Sequence, residues 1–231
     1  MDIQVLASGS KGNCYRVTDG VTPLLIEAGI PMASIRRGLV FQVSGISGVL
    51  ITHEHMDHAK AASDMIKAGI DCYMSRGTAE ALGLTGHRIK PVEAKRPFNV
   101  GTWTVLPFDT QHDCAEPLGF LLASGNEKLL YATDTYYLRY RFAGLTHLMI
   151  EANYSADIPE ANVAAGLVPR EMQKRLIRSH FSLENVKNCL KANDLSKVRE
   201  IWLIHLSDGN SDAERFKREI QELTGKMVFV A

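Results

Sequence analysis

The stretch His53-Glu54-His55-Met56-Asp57-His58 decides how the rest of this chain is read. It follows the apolar run 49–52, which reads as a short strand. It leads into residues 56–68, where Met65 and Ile66 fall at helical spacing before Gly69 stops the run. His53 and His55 stand two apart, so in extended backbone both imidazoles point the same way. Asp57 and His58 sit where the chain turns into the helix, which aims a second pair of ligands beside the first. Four metal-binding side chains in six residues exceed what one divalent ion normally takes from one segment. They suit two ions about 3.5–4 Å apart.

Outward from this stretch the same chemistry recurs at strand ends. His112 follows the strand-like run 102–108, Asp134 ends the run 128–133, and His205 ends the run 200–204. The carboxyl ends of strands are where α/β sheets present site residues. Singly, each also reads as a cap, a turn residue or a hydrogen-bonded core histidine; together they read as one site. Further strands are expected over 2–6, 13–18 and 24–27, the last two joined at Asp19-Gly20, and over 120–123, 147–151, 199–205 and 227–230. Ser124-Gly125-Asn126 reads as a hairpin turn, and helices are expected over 170–178, 183–192 and 213–223. Strands and helices mix without a linker-like stretch, so residues 1–231 read as a single α/β domain with helices outside the sheets.

Composition narrows the class. Lys+Arg 26 against Asp+Glu 26 gives zero net charge, which excludes a bulk-electrostatic binder of nucleic acid or membrane but permits a local basic face. Hydrophobic residues at 45% and charged residues at 23% are those of a globular chain rather than a disordered or fibrous one. Cys14, Cys72, Cys114 and Cys189 form no CxxC pair and read as reduced structural thiols. There is no signal-peptide pattern and no apolar run of the roughly 18–20 residues that span a bilayer. The expectation is a soluble, cytoplasmic protein.

Three more segments carry polar residues of interest. Ala7-Ser8-Gly9-Ser10-Lys11-Gly12-Asn13 reads as a tight turn or as a nest of backbone N–H groups able to accept an anion. Ile150-Glu151-Ala152-Asn153 ends a strand. Ser179-His180-Phe181-Ser182 precedes a helix, with Ser182 as its N-cap.

The HxHxDH motif, a later His, a strand-end Asp and a final strand-end His together resemble the metallo-β-lactamase superfamily. The resemblance implies an αββα sandwich with a dinuclear site along one edge, running from the first strand to the last. It implies His53, His55 and His112 on one metal, Asp57, His58 and His205 on the other, and Asp134 bridging them. Five histidines and two carboxylates suit Zn²⁺ or Mn²⁺. Two dications, two carboxylates and a bridging hydroxide leave roughly one positive charge, which suits a phosphodiester. In that chemistry a metal-bound hydroxide, held near Asp57, attacks phosphorus.

A strand-end Glu paired with a His before a helix resembles the phosphodiesterase side of the superfamily, and makes Glu151 and His180 a candidate dyad in which the carboxylate orients the imidazole that assists the leaving group. The SGSKGN loop, HEHMDH, His112-Asp113, Thr133-Asp134, Glu151-Ala152-Asn153 and SHFS most resemble the YycJ/WalJ-like branch, described as DNA exonucleases acting from the 5′ end. The resemblance departs at Ser179, where a glycine is expected. In the Gly/Ser-rich loop, Ser8, Ser10 and Asn13 are candidate substrate contacts. Arg175, in a basic stretch with Arg170, Lys174 and Arg178, is a candidate to line a phosphate track. Only 70 residues separate Asp134 from His205, which excludes a β-CASP insertion. The leading expectation is a two-metal nuclease, an exonuclease with DNA rather than RNA as its substrate. The alternatives are hydrolysis of a small phosphodiester such as a cyclic nucleotide, for which a homodimer closing the pocket would speak, hydrolysis of a thioester, lactone or β-lactam, and a non-catalytic accessory module.

Overall fold

Leu24, Leu25 and Ile26 are completely buried, as are Val49, Leu50 and Ile51. Such unbroken apolar runs belong to strands covered on both faces. In the computed structural model, which describes residues 1–231, they lie side by side in parallel, Leu25 opposite Val49 and Ile26 opposite Leu50. The chain divides into two compact units, Met1–Asp109 with Cys114–Glu127, and Thr110–Asp113 with Lys128–Ala231.

The first unit carries a six-stranded sheet in sequential order. Its strands are β1 (Asp2–Ala7), β2 (Cys14–Thr18), β3 (Pro23–Ile26), β4 (Val49–Leu50), β5 (Cys72–Met74) and β6 (Ile89–Pro91). β1, β2 and β3 pair antiparallel, while β3 to β6 run parallel. The parallel strands need crossovers, supplied by α1 (Met32–Gly38), by α2 (Met56–Ala59) with α3 (Ala62–Lys67), and by α4 (Arg76–Ala81). β7 (Phe98–Val100), β8 (Trp103–Asp109) and β9 (Leu118–Ser124) form an antiparallel meander. Trp103 is fully buried there, and its indole N–H is satisfied by the Thr22 carbonyl at 2.8 Å.

The helix expected over 56–68 is broken in two. Ala28 N donates to His58 O, and Ala61 N donates to Ala28 O, both at 2.8 Å. These bonds to the chain beyond β3 take the place of intrahelical ones, so the helix opens between α2 and α3.

The second unit holds β10 (Glu127–Ala132), β11 (His147–Glu151), β12 (Glu200–Ile204) and β13 (Met227–Val230), all parallel in that order. Between β11 and β12 run α5 (Asp157–Ala164), α6 (Arg170–Ser179) and α7 (Leu183–Ala192); α8 (Ala213–Thr224) joins β12 to β13. Ser182 caps α7 by accepting the Asn185 N–H, as its sequence position suggests. No helix is long and apolar enough to cross a membrane.

Candidate active site

In the first unit the 53–58 loop leaves β4 against Glu27, a buried residue one step past β3 with a left-handed φ of 64°. Glu27 Oε1 accepts the Thr52 hydroxyl at 2.6 Å, and Oε2 accepts the Thr52 N–H at 3.2 Å. With its hydrogen committed to Glu27, Thr52 Oγ1 accepts from His53 Nδ1 at 2.9 Å. His58 Nδ1 lies 3.3 Å from Glu27 Oε1. Through Thr52 the Glu27 carboxylate thus sets the tautomer of His53 and leaves its Nε2 as the acceptor, as a metal-bound imidazole requires. His53 Nε2 faces His55 Nδ1 at 3.1 Å, and His58 Nε2 faces Asp57 Oδ2 at 3.4 Å.

The loop is also clamped by its backbone. Asn13 donates to the Asp57 carbonyl from its own N–H at 2.7 Å and from its side-chain amide at 3.2 Å. Its Oδ1 accepts the Gly9 N–H at 3.0 Å. Gly29 makes this approach feasible, because a Cβ there would stand 1.7 Å from the Asp57 carbonyl oxygen. Asn13 is therefore buried and committed to the loop, which corrects its reading as a substrate contact. Ser8 is half-buried, with its Oγ 2.8 Å from the Tyr15 hydroxyl, and Ser10 is exposed.

In the second unit the residues come from the ends of three parallel strands and one helix. Asp134 lies just past β10, Glu151 closes β11, His205 follows β12 and His180 follows α6. Asp134 and His205 are held in left-handed backbone, φ 46° and 54°, which turns each side chain off the strand line. Glu151 is fully buried, with Oε1 2.6 Å from His180 Nδ1 and 3.2 Å from His205 Nδ1. Its Oε2 accepts the backbone N–H groups of Thr135 and Phe181 at 3.2 and 3.1 Å. Asp134 Oδ1 is 3.5 Å from His205 Nδ1, and Oδ2 is 3.5 Å from His112 Nε2. His112 Nδ1 donates to the Ser179 carbonyl at 2.9 Å. Ser179 is outside left-handed backbone, so serine fits where the resemblance leads to glycine. His180, 22% exposed, is the accessible member beside Glu151 at 0%, His205 at 2%, and Asp134 and His112 at 3%.

Burial pushes the His180 pKa down, but the Glu151 charge and hydrogen bond outweigh it and hold it above the ordinary value. Burial pushes Glu151 up, and the His180 partner overrides this to hold it low. For His112 burial wins over the Asp134 charge, and its pKa falls.

The donor set fits divalent metal. With Nδ1 of His112 serving as a donor to the Ser179 carbonyl, its Nε2 faces Asp134 Oδ2 acceptor to acceptor at 3.5 Å. A cation resolves such a pair. One ligand atom each from Asp134, Glu151, His180 and His205 lies within 4.8 Å of the others, and these N and O donors suit Zn²⁺ or Mn²⁺.

Arg175 is exposed on α6 and joins none of these contacts. His147 is a buried histidine paired with the Thr146 hydroxyl, and all four cysteines are free thiols. Sequence reading missed Glu27 and Thr52. Their signal was a carboxylate closing the apolar run Leu24-Leu25-Ile26, where an acid needs a buried partner. The Asn153 amide donates to the His205 carbonyl at 2.9 Å.

A family model described as a beta-lactamase superfamily domain matches residues 24–206. The chain is 27% identical to the exodeoxyribonuclease YycJ of Bacillus anthracis, over 96% of this chain and 89% of that protein. It is 26% identical to the exodeoxyribonuclease WalJ of Streptococcus pneumoniae, over 91% and 83% respectively. Among solved structures, the metallo-β-lactamase fold protein YhfI of Bacillus subtilis superposes with a TM-score of 0.76 at 16% identity, covering 99% of this chain and 95% of that one. The matches, the fold and the clustered donors make this chain a metal-dependent hydrolase that belongs to the metallo-β-lactamase superfamily, in its YycJ-like branch.

Proposed function

We propose that this chain is a two-metal phosphodiesterase that shortens DNA from a 5′ end. The observation that carries the reading is the Glu151–His180 pair, 2.6 Å apart, with His180 the accessible member of an otherwise buried cluster. A thioester or lactone offers such a pair no phosphate to serve. The exodeoxyribonuclease names of both relatives support the choice of DNA.

The proposed ligands are those of the resemblance: His53, His55 and His112 for one ion, Asp57, His58 and His205 for the other, with Asp134 shared. When bound, Zn²⁺ or Mn²⁺ at these residues polarises a phosphoryl oxygen and lowers the pKa of water toward about 7. Asp57 orients the attacking water by accepting its hydrogen bond. Glu151 accepts the hydrogen bond of His180 Nδ1 and raises the basicity of the ring, so that Nε2 carries the proton delivered to the leaving oxygen. Asn13 and Glu27 position the ligand loop and touch no substrate. Ser8, Ser10 and Arg175 remain the proposed phosphate contacts. Residues 1–231 act as one domain, a reading supported by a family model that runs across both units. Four free thiols suit work in a reducing compartment such as the cytoplasm.

The test is digestion by Mn²⁺- or Zn²⁺-loaded protein of 5′-labelled duplex DNA, single-stranded DNA, RNA and cyclic nucleotides, with Asp57→Ala as the contamination control. Progressive shortening of DNA that the variant lacks is the expected result. Opening of a cyclic nucleotide with the polymers untouched would replace the nuclease by a small-phosphodiester hydrolase.

A further inference from the structure

Beside the His180 cluster the second unit holds a separate hollow of about 280 Å³, set between the segment after Asp134 and α7. Its lining brings together Tyr137, Tyr140, Arg139, Arg141 and Asn188, with no carboxylate among the lining residues. The Arg141 guanidinium in a lining without an acid selects for an anion, and tyrosine faces beside it select for a planar group.

The hollow is attached to the catalytic pair through Glu151. Thr135 N and Phe181 N both donate to Glu151 Oε2, at 3.2 and 3.1 Å. Phe181 lines the hollow, and the Tyr137 carbonyl accepts the Thr135 hydroxyl at 2.9 Å. The walls are braced: Asn185 donates to the Tyr136 carbonyl at 3.0 Å, and Asn193 accepts the Phe142 N–H at 2.7 Å. Tyr137, 58% exposed, is not needed for that bracing by its ring. Arg141 has no carboxylate partner, and the Asn188 amide makes no hydrogen bond within the protein.

We propose that this hollow is a nucleotide subsite, holding one nucleotide of the strand on which His180 acts. The base stacks on Tyr137, Asn188 meets its edge with a donor and an acceptor, and Arg141 takes the phosphate. The inference rests on the phosphodiesterase reading and adds to it the group that is recognised.

The test uses metal-loaded protein on matched oligonucleotides with and without a base at the terminal positions, in deoxyribose and ribose forms. Tyr137→Ala should raise KM for the normal oligonucleotide about tenfold, the worth of one base stack. It should leave cleavage of the abasic one unchanged, and Tyr137→Phe should restore the normal KM. Arg141→Ala should raise KM on both. If Tyr137→Ala and Arg141→Ala leave DNA cleavage unchanged while wild type digests DNA, the subsite is wrong and the nuclease reading stands. If wild type cuts no polymer, the nuclease reading fails. Titration with deoxyadenosine monophosphate then decides the hollow: binding weakened by Tyr137→Ala supports it, and binding indifferent to that change overturns it.

Discussion

The two units reach similar chemistry by opposite means. In the first, four candidate ligands sit within six consecutive residues, and the loop that carries them is held from outside by Asn13 and Glu27. In the second, His112, Asp134, Glu151, His180 and His205 come from separate segments, and the ends of parallel strands bring them together. A contiguous motif needs a clamp; a dispersed one needs strand ends and an unusual backbone. Glu27, Asp134 and His205 account for three of the six non-glycine residues with positive φ. Strain of this kind, of order 1–3 kcal/mol each, collects at sites whose surroundings over-determine it.

The comparison can be broken at its strongest point first. Asp57→Ala should reduce turnover to background, beyond the hundred- to thousandfold loss typical of one stabilising group. Near-normal activity in that variant would remove the two-metal reading. His180→Ala should lower kcat by about 10²- to 10⁴-fold with metal content unchanged, as measured by elemental analysis after gel filtration. Loss of metal instead would make His180 a ligand and give the second unit a different role. Glu27→Gln keeps the volume but weakens the acceptor of the Thr52 hydroxyl and removes the charge facing His58. It should cost about 10- to 100-fold in metal affinity by chelator competition. Unchanged affinity would mean the clamp on the first unit is backbone alone.

The smallest expected effect separates the units by acid. In the first, burial pushes the Asp19 carboxyl up, but hydrogen bonds from Ser124, Thr102, Thr22 and Val21 outweigh it and hold the pKa well below the usual carboxylate range. In the second, the Arg215 hydrogen bond holds Asp157 down to about 2. Both folded values lie below the unfolded value of about 3.9, so the stabilisation is present above that pH and fades as pH falls through the folded value. Asp157 is largely exposed, and solvent screening reduces its share. Thermal melts should show wild type above Asp19→Asn at pH 6, with the gap narrowing toward pH 3. Asp157→Asn should show a smaller gap. Equal gaps would mean that the hydrogen bonds around Asp19 add nothing to a surface ion pair.

The same contrast explains what sequence reading reached. HEHMDH is legible because its ligands are neighbours, and Asp134, Glu151 and His205 because each ends an apolar run. The 56–68 pattern predicts one helix because its break depends on Ala28, 30 residues upstream of His58, and no local pattern reports that partner. Glu27 is silent in the sequence for the same reason. Its role lies in Thr52 and His58, which only the pairing of β3 with β4 brings near. Asn13 was read from its Gly/Ser neighbours as facing a ligand, whereas burial gives its amide to the Asp57 carbonyl.

That last bond also bears on how the chain acquires its function during folding. Asn13 and Asp57 are 44 residues apart, and Gly29, which permits their approach, lies between them. Contacts of such separation form only after the intervening chain has closed its own loops, at an entropic cost that local structure does not bear. The order of the ligand loop is therefore tied to the pairing of β1 to β4 rather than to its own local sequence. A divalent ion that binds the folded loop and not the unfolded chain would stabilise it by mass action, so added metal should raise the thermal midpoint in a melt.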